Sequence, residues 1–228
     1  MGWANGRDRR KTAFTPEVDS PRPGVIVWIG NRPRSDLVGS ITEMTRDQAW
    51  TLLNQYTKSD SLIKHALAVE AAMAYYAERF GEDVETWRVV GLLHDFDYER
   101  WPRQPEHTRE GARILRERGV DEEIVGAILS HAESNRADYP LDRPIRKVLT
   151  AVDELCGFIT AVAYVRPERL TGMTPKSVRK KLKQPSFAAA VSREDIARGA
   201  ELVGLDLDEH MSNVIAAMQR ASKELGLA

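Results

Sequence analysis

A chain of 228 residues, 42% apolar and 29% charged, is long enough to bury one sizeable core and has none of the compositional bias of a disordered protein. Its 33 basic and 34 acidic residues leave a net charge of -1, which excludes a global pull toward nucleic-acid polymers or acidic membranes. The single cysteine, Cys156, excludes an intrachain disulfide framework and any cysteine-rich zinc module, so metal ligands must be histidines and carboxylates.

Residues 1–43 contain Arg7, Arg9, Arg10 and Lys11, then Pro16, Pro21, Pro23, Gly24 and Pro33, with no sustained helical or strand period. They read as a disordered or loosely attached N-terminal extension. The apolar run Val25 to Ile29 has one alternative reading, as a strand that pairs elsewhere; it is too short for a secretory signal. Residues 44–228 read as one helical domain.

Thr45 to Gln48 has capping-box form and opens a helix through Trp50, Leu52 and Leu53. A second helix is predicted from Ser59 to Phe80, with Leu62, Ala66, Val69, Met73, Tyr76 and Phe80 on one face and Gly81 as its C-cap. A third runs from Val84 to Asp95 and enters a loop holding Pro102 and Pro105. Two shorter helices follow, from Thr108 to Arg118 and from Asp121 to His131. The run Val148 to Val165 is apolar on nearly all sides, which marks a helix buried at the centre of a bundle, and Asp153 and Glu154 interrupt it too early for a membrane span. Thr174, Ser192 and Asp206 read as N-caps of three later helices. The predicted fold is therefore all-α, an irregular helical bundle.

Four of the five histidines stand where the helical pattern calls for an apolar residue or where a helix ends. His65 lies on the inward face beside Leu62, Ala66 and Val69. His131 continues the Ile124 and Ile128 stripe, and His94, followed at once by Asp95, extends the stripe of Trp87, Val90 and Gly91. Asp153 lies inside an apolar helix, where an unpaired carboxylate would cost several kcal/mol. Two partners suit it: a divalent ion shared with imidazoles, or a buried Arg146. Imidazole nitrogen mixed with carboxylate oxygen favours Fe, Mn, Co, Ni or Zn over Ca or Mg.

The ordered set His65, then Leu92-Leu93-His94-Asp95, then Ala151-Val152-Asp153 resembles the HD superfamily of metal-dependent phosphohydrolases. The segments around His107 and His131 resemble the two further histidines of the branches that bind two metals. The resemblance implies that His65, His94, Asp95 and Asp153 hold a first ion, and that Asp95 bridges to a second held by His107 and His131, with a bridging hydroxide as nucleophile. It implies hydrolysis of a phosphate monoester or phosphoanhydride in a nucleotide or similar small phosphorylated metabolite. The lone cysteine, the lack of an apolar span or signal and the near-zero charge point separately to a cytoplasmic protein without membrane or nucleic-acid polymer, expected to act as monomer or homodimer. Phe96-Asp97-Tyr98 replaces the Ile-Gly of the HDIG subgroup, and the single His131 departs from the cyclic-dinucleotide phosphodiesterase pattern. Two rival readings stand beside it: a di-iron oxygenase of a small polyol or phosphonate, and a non-catalytic nucleotide-sensing domain.

Lys64 and Arg109, each next to a proposed ligand, are candidates to reach a phosphoryl oxygen during catalysis. Arg179 and Lys183 share a helix face and are candidates for substrate phosphate, against the alternative of a solvated surface. Tyr98 and Trp101 are candidates to stack on a base or sugar. Asp97 and Glu99 are expected to pair with Arg100 or Arg103, against the alternative of donating a proton to a leaving group, and His210 and Cys156 are expected to serve packing.

Overall fold

The computed structural model describes residues 44–228. The extension over residues 1–43 and the alternative strand at Val25 to Ile29 lie outside the described residues. Within them every regular element is helical: α1 (Arg46–Tyr56), α2 (Asp60–Phe80), α3 (Val84–Leu93), α4 (Glu106–Glu117), α5 (Glu122–His131), α6 (Pro144–Tyr164), α7 (Pro175–Leu182), α8 (Arg193–Leu202) and α9 (Leu207–Arg220). A single 3-10 turn, Glu133–Asn135, follows α5. No helix among the described residues is long and apolar enough to cross a membrane.

The helix ends follow local chemistry. Thr45 and Gln48 form a reciprocal capping box, with Thr45 N–H donating to Gln48 Oε1 at 2.9 Å and Gln48 N–H donating to Thr45 Oγ1 at 3.3 Å. Asp83, Ser192 and Asp206 accept from first-turn amides of α3, α8 and α9, whereas Thr174 stands at the N-cap of α7 without a side-chain bond. Gly81 ends α2 in the left-handed region at φ 70.

Two 21-residue helices form the centre. α6 buries Val148, Leu149, Val152, Leu155, Phe158, Ile159 and Val162, and α2 buries Val69, Ala72, Met73 and Tyr76 against it. The remaining helices pack around this pair, so residues in the middle of α2 and α6 lie deep in the bundle. α3 crosses α2 closely at Gly91, where a Cβ would stand 2.8 Å from Glu70 Cα and 3.0 Å from Val69 O. Glu70 is buried at that crossing and is neutralised by Arg46 of α1 at 2.8 Å and Arg88 of α3 at 2.9 Å. Burying this carboxylate is tolerable because two guanidinium groups meet it.

The crossing also fixes the register of α3, whose last residue, Leu93, delivers the chain to His94. A Gly91→Ala protein should lose about 1–3 kcal/mol, because two backbones rather than a flexible side chain must move apart. Urea denaturation checks the loss.

Candidate metal centre

Five elements bring six side chains to one place. His65 comes from the middle of α2 and Asp153 from the middle of α6; His65 Nε2 and Asp153 Oδ1 are 3.0 Å apart. His94 is the C-cap of α3 and is fully buried. Its Nδ1 lies 2.8 Å from Gly91 O, and since a carbonyl only accepts, Nδ1 carries the proton and the Nε2 lone pair is free. That Nε2 is buried with no hydrogen-bond partner, 3.5 Å from Asp95 Oδ2 and 3.6 Å from Asp153 Oδ1.

A second group forms around the other oxygen of Asp95. Nε2 of His107, from α4, and Nε2 of His131, the last residue of α5, each stand 3.2 Å from Asp95 Oδ1. His131 Nδ1–H donates to Ile128 O at 2.7 Å. Neighbouring imidazole rings are 5.2 to 5.4 Å apart between centroids along the series 65, 94, 131, 107. The end of α3 resolves the divergence of adjacent helical positions: the chain leaves the helix at His94, and Asp95 turns between the two histidine groups.

These donors suit one or two cations. Ligand atoms about 2.1 Å from one ion stand about 3.0 Å apart in octahedral and about 3.4 Å apart in tetrahedral geometry, which the spacings around Asp95 and Asp153 match. His65, His94 and Asp95 offer ligand atoms within 4.8 Å of one another, and so do Asp95, His107 and His131. The orphaned Nε2 of His94 is the lone pair that a cation would take up.

Electrostatics within the cluster follow from the same contacts. Burial works against ionised Asp95 and Asp153, but the neighbouring imidazoles outweigh it and hold both carboxyls well below the usual range. Burial likewise works against protonated His94, His107 and His131. The facing carboxylates overcome it, raising all three and bringing His107 to about 9.

The other sequence candidates divide. Arg109 lies at the rim, donating from Nε to Asn135 Oδ1 at 3.1 Å, and Tyr98 presents its ring edge-on to His107 at 5.1 Å. Lys64 does not join the cluster: its ammonium pairs with Asp60 at 2.7 Å, one helical turn back. Arg179 is held 2.7 Å from Asp208 on the exposed surface between α7 and α9, and Lys183 caps the end of α7. Trp101 turns inward against Tyr56. Arg146 donates to Pro140 O and Asp142, which removes it as the partner of Asp153.

Asp97 corrects the sequence reading most sharply. It pairs with neither Arg100 nor Arg103 but is buried, accepting from His107 Nδ1–H at 3.0 Å and from Gly111 N–H at 2.8 Å. Glu99 accepts from the amides of Lys58 and Ser59 at the start of α2. Asn135 and Arg136, beside His131, were not singled out from sequence; an Asn in a short polar stretch carries no pattern that distinguishes it from a turn residue. Cys156 is buried, its thiol pushed up by the apolar surroundings first and by Asp153 second.

Residues 62–163 match the HD domain family. The chain carries an HD domain. The HD superfamily consists generally of metal-dependent phosphohydrolases, and the five helices α2 to α6, which supply all six clustered side chains, fall almost wholly within the matched residues. Over 75 residues the chain is 36% identical to ribonuclease Y of Pseudothermotoga lettingae, covering 31% of this chain and 14% of that protein. Over 71 residues it is 41% identical to an uncharacterized protein of Methanocaldococcus jannaschii, covering 29% of this chain and 41% of that protein. The chain thus spans less than half the length of either relative. No solved structure gives a significant match to it.

His210 stands behind the clustered side chains of the HD domain. Tyr76 O–H donates to its Nδ1 at 2.7 Å and its Nε2–H donates to Ala151 O at 3.0 Å, fastening α9 to α2 and to α6 two residues before Asp153. Burial lowers His210 from 6.5 to about 4, only partly offset by the bond to Ala151. Because the folded pKa is depressed, the unfolded chain takes up a proton that the folded protein refuses. This contribution to stability is therefore present above about pH 6.5 and lost on acidification toward about pH 4, amounting to about 3 kcal/mol. In a His210→Asn protein, stability should be lower at neutral pH but fall less between these limits, as read from urea titrations of the metal-free protein at both pH values.

Proposed function

We propose that this HD domain hydrolyses a phosphate monoester or phosphoanhydride bond in a nucleotide or similar small phosphorylated metabolite, using one or two divalent transition-metal ions. The observation that carries the reading is the carboxylate of Asp95, whose Oδ2 faces His94 and whose Oδ1 faces His107 and His131. His65, His94, Asp95 and Asp153 would hold one ion, and Asp95, His107 and His131 the other. When bound, such ions polarise a phosphoryl oxygen and make water acidic enough to ionise near neutral pH.

The chain's own residues do the rest. Gly91 O and Ile128 O fix the Nδ1–H tautomers of His94 and His131, so that both present Nε2 as a ligand. Arg109 and Arg136 supply positive charge at the rim: Arg136 donates from Nε to Ser130 O at 3.2 Å and from Nη2 to His131 O at 3.0 Å. Neither forms an ion pair with a described carboxylate. Burial first, and then the charge of Arg198, lowers the pKa of Arg136, as expected for a guanidinium short of counter-charge. A phosphate dianion would provide it, held by charge-assisted hydrogen bonds from donors that the backbone already orients. Tyr98, 39% exposed and edge-on to His107, would cover one side of a bound sugar or base.

The relative named as a ribonuclease makes a phosphodiester the rival bond, while the chain's near-neutral charge favours a small substrate over a polymer. Metal-loaded protein should therefore be tested against mononucleotides, sugar phosphates and a short RNA, with Mn, Co, Fe or Ni, aerobically and anaerobically. Release of phosphate from a mononucleotide or sugar phosphate without dioxygen supports the proposal, whereas cleavage of the RNA alone would favour the phosphodiester. Oxygen-dependent turnover of a polyol or phosphonate, or binding of the whole panel without cleavage, would overturn it. Asp95→Ala should abolish both metal content and turnover, whereas Arg136→Gln and Arg109→Gln should keep the metal and raise KM about 10- to 100-fold, the loss of one charge-assisted contact.

A further inference from the structure

The three histidines whose second ring nitrogen has a protein partner in this cluster are not held alike. His94 and His131 each donate to a carbonyl three residues earlier in their own helix. His107 donates instead to a carboxylate, Asp97 Oδ1, which is 1% exposed. The other oxygen of Asp97 accepts from Gly111 N–H, and at Gly111 a Cβ would stand 2.9 Å from that oxygen. A larger residue there would push the carboxylate off its place.

The backbone at His107 is unusual too. His107 (φ -54, ψ 136) and Thr108 (φ 67, ψ -34) interrupt the helical path of α4 in its first turn. A non-glycine residue in the left-handed region costs about 1–3 kcal/mol and persists where its surroundings over-determine it. Here Thr108 is fully buried, and its Oγ1 accepts from Asn135 Nδ2 at 2.8 Å, which also donates to Leu129 O at 3.1 Å. Asn135 is itself buried and follows α5 by four residues. One amide thus ties the strained residue after His107 to the helix that delivers His131. The kink turns His107 Nε2 to Asp95 while Nδ1 reaches Asp97.

Resting on the two-ion reading above, we infer that Asp97 and Asn135 are positioning residues that set the affinity of the Asp95–His107–His131 cation position independently of the His65–His94–Asp95–Asp153 position. The first position has four donors, two of them carboxylates, and owes nothing to α4. The second has three, one of them oriented by the Asp97–Gly111 and Thr108–Asn135 contacts. The two ions accordingly bind in separate steps, the four-donor position filling first.

The test is Mn2+ titration of metal-free full-length protein, followed by calorimetry and by electron paramagnetic resonance, in which two neighbouring Mn2+ ions give an exchange-coupled signal and a lone ion does not. The unaltered protein should bind two ions. Asp97→Asn should bind the first with unchanged affinity and the second about 10- to 100-fold more weakly, with loss of the coupled signal at one equivalent of excess metal. Asn135→Ala should move the second ion in the same direction. If circular dichroism shows that Asp97→Asn does not fold, Gly111→Ala decides, since it keeps the carboxylate and displaces it. Two ions bound by either Asp97→Asn or Gly111→Ala with unaltered affinities, or equal weakening of both ions, would overturn the inference. An unaltered protein that binds fewer than two ions would instead overturn the two-ion reading itself.

Discussion

The organising constraint is the gathering of two partly buried carboxylates, Asp95 and Asp153, among four imidazoles. Neither carboxylate pairs with an arginine or lysine among the described residues, although their side chains are only 21% and 24% exposed. A buried anion without a counter-charge is too costly to keep, so the cluster is stable only when positive charge is shared between the two groups. Protonated histidine can supply that charge, and so can a metal ion. Because both would occupy the same nitrogen lone pairs, a proton and a divalent cation would compete for the site, and the cation would bring two charges to one point.

The bundle is arranged so that this cluster forms without flexible parts. Asp153 and His65 come from the middles of the two longest helices, where packing on both sides leaves little freedom to the backbone. His94, Asp95 and His131 come from helix ends, where the chain changes direction and a side chain can leave the helical face. Gly91 lets α3 approach α2 closely enough for His94 to reach His65, and His210 braces α6 from behind. The polar contacts that support the ligands are thus mainly backbone carbonyls and buried side chains, which is what a site needs if its donors are to keep their geometry as ions come and go.

Much of the fold is legible in the sequence. Thr45, Gly81, Ser192 and Asp206 announce helix ends by local hydrogen bonding, and the apolar run through Cys156 announces a buried central helix. The six candidate ligands were legible for a related reason: a titratable group on an inward helical face is conspicuous. Charged residues on outward or loop positions carried no such signal. Lys64 and Arg179 neighbour interesting residues in sequence, yet their side chains find Asp60 and Asp208 at the surface. Asp97 was misread because two nearby arginines, Arg100 and Arg103, offered ordinary loop partners, while its real partner, His107, comes near only because the chain doubles back at the start of α4.

By itself the sequence determined which residues must be inside: periodicity and capping are local, and they place four of the five histidines and Asp153 on a buried face or at a helix end. It also determined the donor chemistry, since one buried cysteine leaves only imidazole and carboxylate. The tertiary structure alone decided which donors share which oxygen of Asp95, which histidine is backed by a carboxylate instead of a carbonyl, and which arginines are left without an acid. Those are relations between segments up to 88 residues apart, as for His65 and Asp153, and distances of 3 to 4 Å between such segments depend on how helices cross, which no local pattern of residues specifies.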